Sequence, residues 1–223
     1  MSDVYSPAPA PAWRLIPSRF PPIGLFDTVA TAADLAAVMD LSGWTNDRLV
    51  AERLARLPQD EWVYGRPNAS VVMAAFLHVA PGGMRFNSVD LGAWYAAASL
   101  TTAAIEVAHH LRRELVARGL TTTTRTFRTY TSDLVGDYLD IRGQRAAKPE
   151  IYESDSYAAS QVLGESVRAA GGAGVIFDSV RHAGGANVAA YRPRNVLDVI
   201  QTDHHALTVQ AAAARIELRR LVS

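Results

Sequence analysis

Apolar residues recur every three or four positions in several stretches of the chain, which is typical of helices with one buried face. The clearest stripe lies in a helix that Ser99 caps and Gly119 ends, and its members are Ala104, Ala108, Leu111 and Leu115. Three further helices are predicted, at residues 31–39, 46–57 and 156–170. Ser156 caps the last of these helices. Residues 71–79 are apolar almost throughout, and their pattern fits a buried strand and a buried helix equally well.

Short apolar or alternating stretches bounded by turn residues are predicted to be strands. They lie at residues 13–16, 93–97, 121–131, 138–141, 174–177 and 187–191, with a closing strand or hairpin over 207–210 and 215–221. Helices interspersed with strands, without regular β-α-β alternation, indicate an α+β fold rather than a doubly wound parallel sheet. Residues 1–12, where proline alternates with alanine at positions 7–12, are predicted to be an extended, mobile tail. Order is therefore expected to begin near Trp13.

Composition narrows the classes of function. The 223 residues fit one domain, and 49% hydrophobic with 20% charged residues is ordinary for a soluble globular chain. Lys plus Arg and Asp plus Glu both number 22, so there is no bulk basic excess for direct nucleic-acid binding. The absence of cysteine excludes disulfides, thiolate zinc sites and cysteine nucleophiles. Residues 1–11 lack a signal-peptide pattern and no apolar run reaches the roughly 18 residues of a membrane span, so we expect a cytoplasmic protein without membrane contact.

Familiar catalytic templates are absent from the sequence. There is no phosphate-binding P-loop, and the glycines at 171–174 precede a predicted strand, whereas a Rossmann glycine loop follows one. Asp178, Ser179 and His182 are the residue types of a hydrolase triad, but they lie within five residues of one another and lack the G-x-S-x-G elbow. A serine hydrolase is therefore disfavoured.

A metal site is one open alternative. Glu106, His109 and His110 lie at i, i+3 and i+4, on one face of the predicted helix, and could supply three ligands. Residues 203–205, Asp-His-His, could add more. The simpler interpretation is a solvated polar face that continues to Arg113. A metal-dependent hydrolase using these side chains is kept as the less favoured alternative.

Arg85, Tyr95 and Glu106 form a better constellation, with separations of ten and eleven residues. Arg85 follows a Gly-Gly break, where backbone can approach a ligand closely. Tyr95 lies in an apolar strand, and Glu106 lies on the next helix, away from its core stripe. A strand–helix unit could thus bring a cation, an aromatic ring and a carboxylate to one cleft. From spacing alone, a surface arginine, a core tyrosine and a solvated glutamate explain the pattern equally well.

The segments around these residues resemble the core signature of RES-domain proteins, a family named after Arg, Glu and Ser. The matching segments, in order, are 13–17 (WRLIP), 85–87 (RFN), 92–97 (GAWYAA), 102–107 (TAAIEV), 157–161 (YAASQ) with its helix to 171, 174–181 (GVIFDSVR) and 184–188 (GGANV). The resemblance covers residues 13–200, and it departs at Phe86, where many relatives carry Trp. Residues 18–22 (SRFPP) resemble the branch whose toxins modify a nucleotide-synthesis enzyme.

The resemblance implies an ADP-ribosyltransferase-like α+β fold, in which helices flank a mixed β-sheet core and a helical extension lies toward the N-terminus. It implies a single RES domain over 13–223 after the tail 1–12, with the N-terminal strand and extension at 13–80 and the core at 81–223. It further implies a toxin of a type II toxin–antitoxin pair that consumes NAD+ and needs no metal. The acceptor of ADP-ribose is water, phosphate or a protein such as a nucleotide-synthesis enzyme. The implied partner is an Xre-type helix-turn-helix antitoxin that plugs the NAD cleft, with the toxin as a homodimer in the complex.

The resemblance also implies a set of site residues. Arg85, Tyr95 and Glu106 are the candidate catalytic residues, and the candidate NAD+ contacts are Arg14, Arg85, Tyr95, Ser179, Arg181 and Asn187. Cleavage of the nicotinamide–ribose bond develops oxocarbenium character, which the Glu106 carboxylate would stabilise. Tyr95 would stack on nicotinamide, and arginine forks would bind the diphosphate. A non-catalytic binding module of the same fold is the main alternative.

Overall fold

The structure, a computed structural model, describes residues 3–20, 24, 26–31, 33–34 and 48–222. Within these ranges nine strands form one sheet, and in chain order they are β1 (Tyr5–Pro7), β2 (Ala12–Pro17), β3 (Trp94–Ala97), β4 (Thr122–Leu134), β5 (Asp137–Asp140), β6 (Gly174–Asp178), β7 (Ala186–Ala190), β8 (Val196–Gln210) and β9 (Ile216–Leu221). The helices with full bounds in these ranges are α1 (Arg48–Arg56), α2 (Ala69–Leu77), α3 (Leu100–Ala117) and α4 (Ala158–Ala169). Short 3-10 turns lie at Gln59–Glu61, Pro149–Tyr152 and Pro193–Asn195.

The sheet is mixed and its spatial order is β1-β5-β6-β7-β3-β2-β4-β8-β9. Strands β5 and β6 pair in parallel, and the other neighbours are antiparallel. Strands β2 and β3, which carry Arg14 and Tyr95, lie in the middle of the sheet. Their register within the described residues is a single pair, Trp13 opposite Ala97. The two strands therefore separate beyond that pair, beside Tyr95.

Helices cover both faces of the sheet. On one face α2 packs its buried Met73 and Phe76 in the same cluster as Trp94 of β3. On the other face α3 packs over β2, β4 and β8, where Leu111 shares a cluster with Leu207. Helix α4 lies beside a cluster on β5–β7. Because side chains alternate along β3, Trp94 points to the α2 face and Tyr95 to the face that α3 and α4 share.

The local pattern predicted most of these elements. Strand β2 and helix α3 lie where they were expected, and the Ser99 hydroxyl caps α3 by accepting a hydrogen bond from the Thr102 amide at 3.1 Å. The apolar stretch at 71–79, for which strand and helix were both open, lies largely in helix α2. The predicted helix 46–57 is observed as α1 from its position 48 onward. The predicted helix 31–39 lies mostly outside the described residues.

Three expectations differ from the structure. Within the tail, Tyr5–Pro7 is extended as predicted but pairs with β5 as an edge strand, so described order begins before Trp13. Strand β8 begins at Val196, eleven residues before its predicted start, because its first half, in which apolar and polar residues do not alternate, is held as a strand by its pairing with β4. The N-cap of α4 is Tyr157 rather than Ser156, and the Tyr157 side chain makes no capping hydrogen bond.

None of the helices in the described ranges combines the length and apolarity that crossing a bilayer requires.

Helix α4 approaches the chain at Phe86 closely enough to require glycine at position 164. A Cβ at Gly164 would overlap the Phe86 carbonyl oxygen and lie 2.6 Å from Tyr191 Oη. We expect Gly164→Ala to lower the free energy of unfolding by about 1–3 kcal/mol, because both neighbours are fixed by packing. Urea denaturation measures this change. Ser166→Ala, at an exposed position of the same helix, is the control and should stay within about 0.5 kcal/mol of the parent. Equal stability of both variants would contradict the close approach.

Candidate active site

A cavity of about 210 Å³ opens on the sheet face between α3 and the start of α4. Residues from β2, β3, α3, β6, β7 and three connecting segments line it. The polar and aromatic lining residues are Trp13, Arg14, Arg85, Tyr95, Glu106, His110, Tyr157, Phe177, Arg181 and Asn187. Of the seven residues predicted from the sequence, six therefore line this one cavity. The seventh, Ser179, lies behind it.

Glu106 is the carboxylate of the cavity, and its Oε1 atom is held by two donors. The Ser179 hydroxyl donates to it at 2.6 Å and the Asn187 amide donates at 2.7 Å. Both donors are buried, whereas Glu106 is partly exposed to the cavity. No hydrogen bond from the described residues reaches Oε2. The carboxylate is thus fixed through one oxygen while the other stays available to a ligand.

Ser179, for which the sequence predicted a direct contact with NAD+, lies behind the cavity wall. It is only 3% exposed and does not line the cavity. Its oxygen accepts hydrogen bonds from the amides of Arg181 at 3.1 Å and His182 at 2.8 Å, so the hydroxyl hydrogen is directed to Glu106. The serine therefore orients the carboxylate.

Three arginines face the cavity without a carboxylate partner. Arg14, Arg85 and Arg181 form no ion pair with any residue in the described part of the chain. Arg85 donates to the carbonyls of Ile151 at 3.2 Å and Glu153 at 2.8 Å, and Arg181 donates to the Ser154 carbonyl at 2.7 Å. Neutral carbonyls position these cations but do not neutralise them. The cavity is therefore suited to an anionic ligand.

Arg14 lies where β2 and β3 separate. Its Nη1 donates to the Tyr95 carbonyl at 2.7 Å, in place of a strand partner, and its guanidinium stacks 4.6 Å from the centre of the Trp94 ring. Its buried Nε has no hydrogen-bond partner in the ranges described. Burial lowers the pKa of Arg14 to about 10. A cation desolvated to this extent without a counter-ion is typical of a binding site.

Tyr95 both lines the cavity and holds the turn that carries Arg85. Its hydroxyl accepts a hydrogen bond from the Phe86 amide at 2.8 Å and donates to Asn87 Oδ1 at 2.9 Å. Burial raises the pKa of the Tyr95 hydroxyl well above its usual range, so the group stays neutral. The hydroxyl therefore holds the turn, while the residue also lines the cavity.

Tyr157 is a lining residue to which the sequence assigned no role. Its ring lies 4.7 Å from the guanidinium carbon of Arg85, so it forms a second aromatic wall. In the sequence, the signal that could have pointed to Tyr157 was its position just before α4, in a segment that fits the family pattern. His110 also lines the cavity, one helical turn after Glu106.

The alternative sites gain no support from the geometry. Within the described ranges, no three His, Asp or Glu side chains are arranged to hold a metal ion, which leaves the set of Glu106, His109 and His110 without support. The triad types at 178–182 are not arranged as a triad. The Ser179 hydroxyl bonds to Glu106, while Nδ1 of His182 bonds to the Thr102 hydroxyl at 2.9 Å.

The chain matches a known protein family over most of its length. The family model of the RES domain matches residues 53–210, well over half of the chain, so the protein belongs to the RES domain family. Membership confirms the resemblance seen in the sequence. At the level of the family, it also supports a toxin of a toxin–antitoxin system whose activity is related to NAD.

Among solved structures, the chain is similar to one in the crystal structure of the M. tuberculosis MbcT–MbcA toxin–antitoxin complex. The two are 19% identical, the match covers 54% of this chain and 72% of that one, and the TM-score is 0.39. No curated protein gives a significant match.

Proposed function

We propose that this protein is a toxin enzyme that cleaves the nicotinamide–ribose bond of NAD+. It then either transfers ADP-ribose to a protein, such as a nucleotide-synthesis enzyme, or degrades NAD+ with water or phosphate. The observation that carries the proposal is a single carboxylate, Glu106, held at one oxygen in a cavity that three unpaired arginines line. An anionic dinucleotide with a sugar that becomes cationic matches this arrangement of charges.

The proposed roles follow from that chemistry. As the bond between nicotinamide and C1 of the ribose breaks, its electron pair leaves with nicotinamide, which becomes neutral, and positive charge develops on the ribose. Glu106 stabilises this charge through Oε2, because Oε1 is already engaged. The acceptor oxygen or nitrogen then bonds to C1 and releases its proton. No strong general acid is needed, since the leaving group departs uncharged.

The other predicted residues hold the substrate. Arg14, Arg85 and Arg181 bind the diphosphate, because guanidinium forks match its oxygens. Tyr95 stacks against nicotinamide. Asn187 was predicted to contact NAD+, and its bond to Glu106 supports a part in orienting the carboxylate as well.

The direct test is incubation of the purified chain with NAD+, followed by chromatography of nicotinamide. We expect nicotinamide to appear, with ADP-ribose, ADP-ribose 1-phosphate or labelled protein identifying water, phosphate or a protein as acceptor. NAD+ binding without any release would favour the non-catalytic module instead. Activity lost to a chelator and restored by a metal would favour the metal-dependent alternative.

Ser179→Ala tests whether the serine orients Glu106 or touches the substrate. We expect kcat for nicotinamide release to fall about tenfold while KM for NAD+ stays near its original value, because one of two charge-assisted bonds to Oε1 is removed. Steady-state kinetics separate the two constants. Ser166→Ala, at an exposed site, is the matched control. A rise in KM with unchanged kcat would restore the direct contact that the sequence predicted.

The family also supports proposals about assembly. We propose an Xre-type helix-turn-helix antitoxin as partner, a homodimer of the toxin within that complex, and a cytoplasmic place of action where NAD+ is available. Residues 13–223 are proposed to form one domain. Co-purification with the product of the neighbouring reading frame, with mass measurement of the complex, checks the partner and the stoichiometry.

A further inference from the structure

The turn that presents Arg85 is closed by its own backbone. Met84 and Asn87 exchange hydrogen bonds, with the Met84 amide 3.0 Å from the Asn87 carbonyl, which leaves Arg85 and Phe86 at the tip. Gly83 has a φ of +76°, and a Cβ there would overlap the Asn87 carbonyl oxygen and lie 2.9 Å from Gln161 Nε2. Glycine at position 83 thus allows close approach both to the turn's own backbone and to the Gln161 side chain, where the sequence had indicated approach to a ligand.

Side chains from one face of α4 hold this turn and the chain after it. Gln161 Nε2 donates to the Gly82 carbonyl at 2.8 Å and to the Met84 carbonyl at 3.0 Å. Further along the same face, Glu165 accepts from the Ser88 amide at 2.7 Å, and Arg168 donates to the Gly92 carbonyl at 2.8 Å. Spacings of four and three residues place these side chains in one row of the helix.

Gln161 is the member of this row that acts closest to Arg85. Its two amide hydrogens reach carbonyls on the residue before Arg85 and two residues further back. Tyr95 and Tyr191 hold the turn after Arg85 through hydrogen bonds to Phe86 and Asn87, whereas Gln161 holds the chain before Arg85. Without Gln161, the Gly82 and Met84 carbonyls would lose their side-chain donor, and the chain before Arg85 would be freer to shift relative to Glu106.

We propose that Gln161 is a positioning residue, which sets the place of the Arg85 guanidinium in the cavity by holding the Gly82 and Met84 carbonyls. This inference rests on the proposed function, because it assigns Arg85 to the diphosphate of NAD+. Gln161 itself does not line the cavity. Its effect on catalysis therefore passes through Arg85.

The test compares Gln161→Ala and Gln161→Glu in two backgrounds. In the parent, each variant should raise KM for NAD+ about tenfold with a smaller change in kcat, and the glutamate variant should lose at least as much because a carboxylate cannot donate to the carbonyls. In an Arg85→Lys background, Gln161→Ala should change kcat/KM by less than about twofold, since the fork that it positions is gone. The control is Val162→Ala, at a side chain that is 73% exposed.

Hydrogen–deuterium exchange separates this inference from the proposed function. We expect Gln161→Ala to speed amide exchange in residues 82–88 while leaving α3 and β8 unchanged. If exchange in that turn becomes faster but the parent protein never releases nicotinamide, the inference that Gln161 holds the turn stands and the proposed function is overturned. Unchanged exchange in the turn, or the full tenfold loss persisting in the Arg85→Lys background, would overturn the positioning role.

Discussion

Glu106→Gln should lower kcat for nicotinamide release by a factor of about 10² to 10³, with a small change in KM for NAD+. The substitution keeps the size of the side chain and an oxygen that can accept from Ser179 and Asn187, but it removes the negative charge. A loss confined to kcat is expected because the charge on the ribose develops only as the bond breaks. Single-turnover measurements with saturating NAD+ give this value directly.

The matched control for this prediction is Glu217→Gln, at an exposed position on β9. It should keep full activity. Circular dichroism and thermal melting of both variants confirm that folding is retained. A folded Glu106→Gln protein with the activity of the parent would refute the assignment of Glu106 as the stabilising carboxylate.

Arg14→Met should weaken NAD+ binding about 10- to 100-fold and leave the free protein at least as stable as the parent. The affinity falls because a charge-assisted contact to the diphosphate is removed. Stability holds because the unliganded protein withdraws much of this cation from water without an ion pair to any described residue, and this desolvation lowers its pKa to about 10. Lower affinity together with undiminished stability is the pattern of a residue kept for binding.

Calorimetric titration with NAD+ and urea denaturation measure the two halves of this prediction. The control is Arg19→Met, at an exposed position just after β2, which should leave both quantities unchanged. A marked loss of stability in Arg14→Met, with NAD+ affinity preserved, would show that the guanidinium serves the sheet through its bonds to Tyr95 and Trp94.

For Ser179, the residue type and the family pattern predicted a place near the site but not the hydrogen-bond partner. The sequence placed this serine directly after a predicted strand, and the family pattern assigned it to the NAD+ site. Which atom it serves depends on a contact with Glu106, 73 positions away in the chain. The tertiary structure brings the residue after β6 to the carboxylate on α3, and no local pattern records that contact.

The elements missed from the sequence share one cause. Apolar and polar residues do not alternate in the first half of β8, and this stretch is a strand because β4 pairs with it. In the same way, Tyr5–Pro7 becomes a strand through its pairing with β5. Such pairing joins distant segments, so it stays invisible to a reading based on neighbouring residues.

By itself, the sequence determined the helices with clear apolar stripes, the short buried strands and the α+β class. Through the ordered RES pattern it also singled out six residues that line one cavity. Helical and strand periodicity are local properties, since they reflect which side of each element is buried. The tertiary structure alone decided that Glu106 is held at one oxygen by two buried donors and that Arg14 occupies the opening between two strands. It also showed that α4 holds the Arg85 turn. These features depend on contacts between segments far apart in the chain, and only folding brings such segments together.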